Sequence, residues 1–556
     1  MQTFTLIYTV IGGLGLFFYG MKSMSDALQA VAGDVIKNSI AIMTKNRVLA
    51  VLVGLFLTVL VQSSTITSVM TVGLVNAGLM TLKQSIGVIF GVNIGTTITG
   101  WIISIKVGKY GLLLIGLGIF PLLFAKSMKY RQAGRAIFGI GLVFYGLLLM
   151  SDGFRPLRDM PQFLEAISYF SGQNYGAYFA SVVVGCLLTM LVQSSSAMLG
   201  VTIALAVTGV IPFHTAAALV MGENIGTTIT ATLASVGGNK NAKRIALAHS
   251  IFNILGVAIL FVAFPYYIEL IQMITPGDPY YKDATGEFPN VAVHVATGHT
   301  LFNFCATLFF LPFVNQLQRF VTWVIPDGPI AETPHLVMLG EPHEVLPATG
   351  LALVKAELDK MKSIVDRMYT KAHKFLSDPV ERQSPELLAK IKNYETITDN
   401  IQKEVMLYLV KLLERRLTEE QSAEAQSYMQ IADELESIAD YIEKMVFYSS
   451  KNKLDDLFVQ DAKKDFFDYF ASVEKYYLDT TNAFTAMKPI DMAFINRRSE
   501  ELRITSETIR ENHLARVSAG DYLPLTALTY SDMVVALRKI RSHTKHFADA
   551  YSKISS

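Results

Sequence analysis

One nine-residue pattern occurs twice in this chain, and few folds have a use for it. "LTVLVQSST" (Leu57–Thr65) returns as "LTMLVQSSS" (Leu188–Ser196), so Gln62-Ser63-Ser64 is matched 131 residues later by Gln193-Ser194-Ser195. At the same offset of 131, Asn93-Ile94-Gly95-Thr96-Thr97-Ile98-Thr99 returns as Asn224-Ile225-Gly226-Thr227-Thr228-Ile229-Thr230. The spacing between the motifs is kept without an insertion. Upstream, "GLFFYGMKSMSD" (Gly15–Asp26) echoes "GLVFYGLLLMSD" (Gly141–Asp152). An internal duplication accounts for all three matches. In both copies, small polar residues end an oily run, where a continuous apolar helix gains nothing from them.

The chain has 556 residues, 51% hydrophobic and 17% charged, and its mean hydropathy of +0.37 points to a membrane protein. The averages hide a division. Up to about Trp323 the sequence is poor in charge and holds runs such as "GLLLIGLGIFPLLFA" and "AIFGIGLVFYGLLLM". From about Leu351 it is dense in charge, with no apolar run of the about 20 residues that a spanning helix needs. A net charge of +1 gives no bulk attraction to nucleic acid. No nucleophile–base set, phosphate-cradling P-loop or zinc spacing marks an enzyme, and no cofactor is implied. Cys186 and Cys305 sit in apolar runs and read as small buried hydrophobes. The N-terminus lacks a basic n-region with a cleavage site, so Phe4–Met24 reads as a retained span.

Segments 45–61 and 66–80, and likewise 177–192 and 197–211, are short for full spans and meet at the polar tips. Short, interrupted apolar segments at matching places in two halves mark broken or re-entrant helices around a transport site. Full crossings are then expected at about 4–24, 84–105, 109–126, 134–152, 213–235, 244–265 and 293–316. An odd number of crossings separates the two hairpins, which inverts the second half. Charge supports this layout. One side collects the loops from Lys22 to Arg47, Lys126 to Arg135 and Lys240 to Arg244. The other carries Lys106, Lys109, Arg155, Arg158 and Lys282, offset by Asp159, Glu165, Asp278, Asp283 and Glu287. The positive-inside rule makes the first side cytoplasmic, and the polar C-terminal region with it.

A break in a membrane helix frees N–H groups at one end and C=O groups at the other. Such a break persists only inside protein or a wet cavity. The N-terminal end suits an anion, and freed oxygens suit a hard cation such as sodium. Gln62, Ser63, Ser64 and Thr65, with Gln193, Ser194, Ser195 and Ser196, are the candidate ligands at the tips. Asn93, Thr96 and Thr97, with Asn224, Thr227 and Thr228, follow at fixed spacing. Small residues at Gly91/Gly95 and Gly222/Gly226 read as close helix packing. Glu223 is the clearest charged side chain at membrane depth, and no arginine stands out as an anion clamp. An anionic substrate would then rely on co-bound cations. "HSIFN" (His249–Asn253) and "HTLFN" (His299–Asn303) place His and Asn four apart on one helical face, read as structural polar contacts.

The duplicated Gln-Ser-Ser tips and the Asn-Ile-Gly-Thr-Thr followers resemble the type II sodium/phosphate cotransporter family, over roughly residues 5–315. The resemblance implies inorganic phosphate as substrate, sodium as coupling ion, and two inverted repeats with re-entrant hairpins. The family signature is QSSS in both halves. Here the second copy keeps it, whereas the first reads Gln62-Ser63-Ser64-Thr65, with the hydroxyl retained. Import and export are both compatible with the motif, as is another oxyanion; a non-transporting membrane receptor is the reading from a different class.

Residues 326–350 hold five prolines and read as an extended linker. Beyond it, helices are expected at about 351–377, 385–415, 418–449, 457–486, 490–515 and 525–553, forming antiparallel bundles. "DELESIADYIEKM" (Asp433–Met445) resembles the PhoU family of phosphate-uptake regulators. In that family, Glu-xxx-Asp pairs on facing helices bind metal, which the resemblance carries to Glu395/Asp399 and Glu436/Asp440. In the second half, Arg538 and Ser542 stand where acids would sit.

The expected molecule is an all-α polytopic membrane protein of the cell (inner) membrane. Residues 1–325 form the membrane part, with repeats at about 4–126 and 134–265 and a final span at about 293–316. Residues 351–556 form a cytoplasmic PhoU-like helical bundle. Its expected partners are phosphate, sodium and the lipid bilayer, with a homodimer as one possible assembly.

Overall fold

The computed structural model describes residues 2–42, 46–105, 110–236, 238–327, 345–378, 381, 384–415, 417–450, 460–520 and 524–554. Nearly all of them are helical, and no strand occurs among them. The chain forms two compact units, one built on Met1–Gly328 and one on Thr349–Ser556. Lys106, Lys109 and the core of the proline-rich linker (328–344) lie outside the described residues.

The first unit opens with α1 (Gln2–Ile42), which runs well past the expected 4–24. Next come α2 (Arg47–Val61), α3 (Ser64–Asn76), α4 (Leu82–Ser104), α5 (Gly111–Phe124) and α6 (Met128–Phe154). After a 3-10 turn and the short α7 (Pro161–Ile167), the pattern repeats with α8 (Tyr175–Val192), α9 (Ser195–Val207), α10 (Phe213–Gly226) and α11 (Thr228–Ala234). The unit ends with α12 (Lys240–Val262), α13 (Phe264–Ile274), α14 (Val291–Phe310) and α15 (Val314–Val324). The expected crossing 213–235 is thus two helices, interrupted at Thr227, whereas its counterpart α4 is continuous. Among the described residues, six helices are long and apolar enough to cross a bilayer: Phe4–Ala30, Leu82–Ser104, Met128–Asp159, Tyr175–Val192, Lys240–Val262 and Val291–Val324. Arg47–Val61, Gly111–Phe124 and Ser195–Val207 are apolar but shorter. On α5, Leu112, Leu117, Phe120 and Phe124 are all more than half exposed, a surface that suits lipid and not water.

Matched side chains cap the duplicated helices. Asn46 accepts from Leu49 N (2.8 Å) at the start of α2, and Asn174 accepts from Ala177 N (3.0 Å) at the start of α8. Backbones then meet closely within each copy. A Cβ added at Gly91 on α4 would lie 1.9 Å from Val51 O on α2. One added at Gly222 on α10 would lie 1.9 Å from Val182 O on α8. Only a hydrogen fits at either crossing, as in the small-residue seams of membrane helices.

Contacts between distant loops fall into two groups that share no residue. In one, Arg135 pairs with Asp26 (2.8 Å), Asn239 is held by the side chain and carbonyl of Asn76, and Arg244 reaches Ile325 O and Asp327. In the other, Arg155 pairs with Glu287, Arg158 donates to Gly286 O (2.7 Å), Thr215 donates to Phe170 O, and Phe288 N donates to Val207 O. The end of α3, at Asn76, takes part in the first group, and the end of α9, at Val207, in the other.

The second unit is a bundle of α16 (Pro347–Ser377), α17 (Pro385–Leu413), α18 (Glu419–Ser450), α19 (Gln460–Thr485), α20 (Met492–Ala519) and α21 (Pro524–Ser552), close to the six expected helices. Its core holds fully buried Leu435, Ile438, Leu537 and Ile540 where α18 lies along α21. On α16, Tyr369 packs its ring against Phe470 and Tyr477 of α19.

The glycine crossings yield a direct test. Gly91→Ala and Gly222→Ala force two backbones apart, and each is expected to destabilise the folded protein by about 1–3 kcal/mol. Gly116→Ala, with nothing within 4 Å of its added Cβ, leaves stability unchanged. Thermal unfolding of the detergent-purified chain separates them; equal midpoints for all three variants would contradict the packing.

Candidate functional site

Each polar tip is a true break. α2 ends at Gln62 (φ 53°, ψ 30°) and α8 ends at Gln193 (φ 56°, ψ 25°), both in the left-handed region. Few non-glycine residues accept this conformation, so keeping glutamine at both positions selects its side chain over backbone comfort. The next residue starts a new helix in both copies. Ser63 Oγ accepts from Ile66 N (3.2 Å) to cap α3, and Ser194 Oγ accepts from Ala197 N (3.3 Å) to cap α9. The first-turn amides at Ser64 and Thr65, and at Ser195 and Ser196, lie ahead of any intrahelical acceptor. Ser25 on α1 donates to the freed carbonyl of Val61 (2.5 Å).

The two tips come together through a residue of α4. Ser196 Oγ donates to Thr99 Oγ1 (3.5 Å), and Thr99 Oγ1 donates to Gln62 Oε1 (3.4 Å). Both bonds are long for hydroxyl donors, so these oxygens form a loose chain. Thr99 belongs to the repeated motif but is not among the candidate residues expected from the sequence. It is the last member of that motif, and among many membrane threonines nothing local distinguishes it.

The tips differ in exposure. Gln62 is 8% exposed, whereas Gln193 is exposed. Gln62 also donates from Nε2 to Val59 O (2.6 Å), which fixes its amide oxygen toward Thr99.

The follower motifs take up matched positions beside the tips. Asn93 Nδ2 donates to Ile89 O (2.9 Å) and Asn224 Nδ2 to Val220 O (2.8 Å). Thr96, Thr97, Thr227 and Thr228 each donate to a carbonyl three or four residues back, leaving their lone pairs as acceptors. Asn224 is not joined to a tip. Its Oδ1 accepts from Asn303 Nδ2 (3.2 Å) and faces His299 Nε2 (3.3 Å) on α14. The His-Asn pairs are therefore structural contacts in part: Asn253 and Asn303 donate to the carbonyls of His249 and His299, and the second pair also crosses to α10.

Glu223 is 2% exposed and accepts from Thr202 Oγ1 (2.7 Å) on α9. Thr202 lies seven residues, or about 10 Å of helix, beyond the second tip. The first copy has Val92 at the equivalent place, so this carboxylate belongs to one half alone.

In the bundle, the four acids carried over from the PhoU resemblance do face each other. Burial, and then the neighbouring carboxylates, push the Glu395 and Glu436 carboxyls above their ordinary range. Yet Asp399 pairs with Lys403 and Asp440 with Lys444 on their own helices, and the four do not gather at metal-ligand spacing among the described residues.

Both units match known families. The model of the Na+/Pi-cotransporter family matches residues 16–152 and 165–274, and that of the PhoU domain matches residues 358–448. The chain is 31% identical over 325 residues to the uncharacterized protein YqeW of Bacillus subtilis (strain 168), covering 58% of this chain and 99% of that one. It is 24% identical over 447 residues to YjbB of Escherichia coli (strain K12), named as a candidate inorganic phosphate export protein, covering 79% of this chain and 77% of YjbB. A shorter stretch of 100 residues is 38% identical to sodium-dependent phosphate transport protein 2A of Rattus norvegicus, covering 17% of this chain and 15% of that protein. No solved structure matches the chain. A multi-pass helical protein with duplicated Gln-Ser-Ser breaks and a C-terminal PhoU domain, this chain belongs to the Na+/Pi-cotransporter family of phosphate transporters.

Proposed function

We propose that this chain moves inorganic phosphate across the cell membrane with sodium as the coupling ion, by alternating access around the two tips, and that the PhoU-like unit on the cytoplasmic side regulates it. The observation that carries this reading is the hydroxyl chain Ser196–Thr99–Gln62, which brings two symmetry-related helix breaks to one place. The N-terminal ends of α3 and α9 offer main-chain N–H groups and positive dipole ends to phosphate. Gln62, Thr65, Thr99, Gln193 and Ser196 offer neutral oxygens to sodium. No arginine balances the substrate there, so cations must enter with it. Glu223 adds a buried carboxyl two turns away, a group that can balance an entering cation by giving up its proton.

The matched order of breaks, caps and glycine crossings in the two copies supports a duplicated architecture, which we read as inverted from the odd number of expected crossings between them. Unequal exposure of Gln62 and Gln193 fits a central site open to one side. Net export is the second reading on direction, because YjbB, which aligns with 79% of this chain, is named for export.

Labelled-phosphate flux in proteoliposomes tests the proposal. An imposed sodium gradient should drive phosphate accumulation, with sulfate a poor competitor. Flux indifferent to sodium points to exchange, and binding without flux points to a receptor; both would overturn the reading. Sided reconstitution reports direction.

Substitutions at the tip separate backbone from side chain. Gln62→Gly keeps the left-handed turn without strain but removes the amide, so it should cut transport at least tenfold while leaving thermal stability unchanged or higher. Glu223→Gln keeps a side-chain oxygen for the bond to Thr202 and removes the ability to ionise. It should raise the sodium concentration needed for half-maximal flux by about tenfold, roughly 1.4 kcal/mol. Wild-type kinetics in both variants would exclude the assigned roles.

A further inference from the structure

We propose that Glu434, His543 and His546 form a binding site for a divalent transition metal of the zinc type, which clamps α18 to α21 in the PhoU-like unit. The three side chains come from two helices, with Glu434 and His543 109 residues apart in the sequence. Their potential ligand atoms all lie within 4.8 Å of one another, and they are the one such His/Cys/Asp/Glu group among the described residues. Each carboxylate oxygen of Glu434 faces a different imidazole: Oε2 lies 2.8 Å from His543 Nδ1 and Oε1 lies 3.7 Å from His546 Nδ1. In a tetrahedral zinc site, with metal–ligand bonds near 2 Å, neighbouring ligand atoms are about 3.3 Å apart. The two distances bracket that value, so a small rotation of the imidazoles seats the ion.

The donor set selects the metal. Two imidazoles and one carboxylate suit zinc and its neighbours, whereas magnesium and calcium take oxygen ligands throughout. Surroundings favour an open, loadable site. Glu434 and His543 are largely covered (13% and 22% side-chain exposure), and His546 is half exposed (51%), leaving a face for water or a further ligand. Tyr441 stacks on the His543 ring at 5.5 Å and fixes its plane. The site is distinct from the four acids at Glu395, Asp399, Glu436 and Asp440, which lie between α17 and α18 and contain no imidazole. Because α18 and α21 form the seam between the first and last three helices, an ion here ties the two halves of the bundle together. That makes the site a means for metal level to act on the regulatory unit.

The test uses the full-length chain in detergent, without a polyhistidine tag, stripped of metal and titrated with Zn2+ and Co2+. One zinc per chain should bind, magnesium in excess should not displace it, and Co2+ should give visible absorption bands of a low-coordinate site. Glu434→Gln, His543→Ala and the mild surface change His546→Asn should each weaken zinc binding at least tenfold and remove the cobalt bands, with helicity kept. Glu395→Gln with Asp440→Asn should leave them intact. The proposal is overturned if the wild-type chain takes up no zinc, if folded His546→Asn binds it as wild type does, or if the Glu395/Asp440 variant is the one that loses it.

Discussion

A helix broken at membrane depth survives only if something other than lipid meets its loose main-chain groups. Everything distinctive about the membrane unit follows from accepting that cost twice. Gln62 and Gln193 turn the chain through the left-handed region, and Ser63 and Ser194 restart it by capping the next helix. Ser25 takes one freed carbonyl, and Thr99 links the two breaks through hydroxyl oxygen. The first-turn amides at Ser64, Thr65, Ser195 and Ser196 precede any intrahelical acceptor, and the proposed transport site draws on them.

The rest of the unit holds these breaks in place. At Gly91 and Gly222 the backbones of α4 and α10 lie directly on α2 and α8, with no room for a side chain. Each helix that ends at a break is thus positioned by direct backbone contact with its neighbour, with no side-chain layer between them. α4 serves both purposes, since it carries Gly91 against the first hairpin and Thr99 between the two tips. The duplication is imperfect where function would call for asymmetry. Glu223 has an apolar counterpart, Gln62 is buried while Gln193 is open, and the helix after the second hairpin is interrupted at Thr227.

Much of this was legible in the sequence because the signals are local or periodic. The repeat at 131 residues located both breaks, small residues marked the close crossings, and apolar spacing with proline breakers located the six bundle helices. Three kinds of feature escaped. Short helices α7, α13 and α15 fall below the length at which hydropathy speaks, and polar residues dilute each of them. The interruption at Thr227 has no glycine or proline of its own to distinguish it from the unbroken "NIGTTIT" of α4. Long-range meetings escaped too. Thr99 stands 97 residues from Ser196, and His543 stands 109 from Glu434, so neither spacing resembles a motif. The acids expected to hold metal in the bundle are neighbours as anticipated, but two of them are engaged by lysines one turn away.

The central claim is that the two breaks share one pocket, and cross-linking asks this most directly. Gln62→Cys and Ser196→Cys, introduced into a chain whose Cys186 and Cys305 are replaced, place two thiols where the native side chains both reach Thr99. A short bifunctional thiol reagent should join them within one chain, and sodium with phosphate should slow the reaction by filling the space between. Two thiols that each react singly but never join, with rates unmoved by sodium and phosphate, would mean that the tips stand apart and that the site described here does not exist.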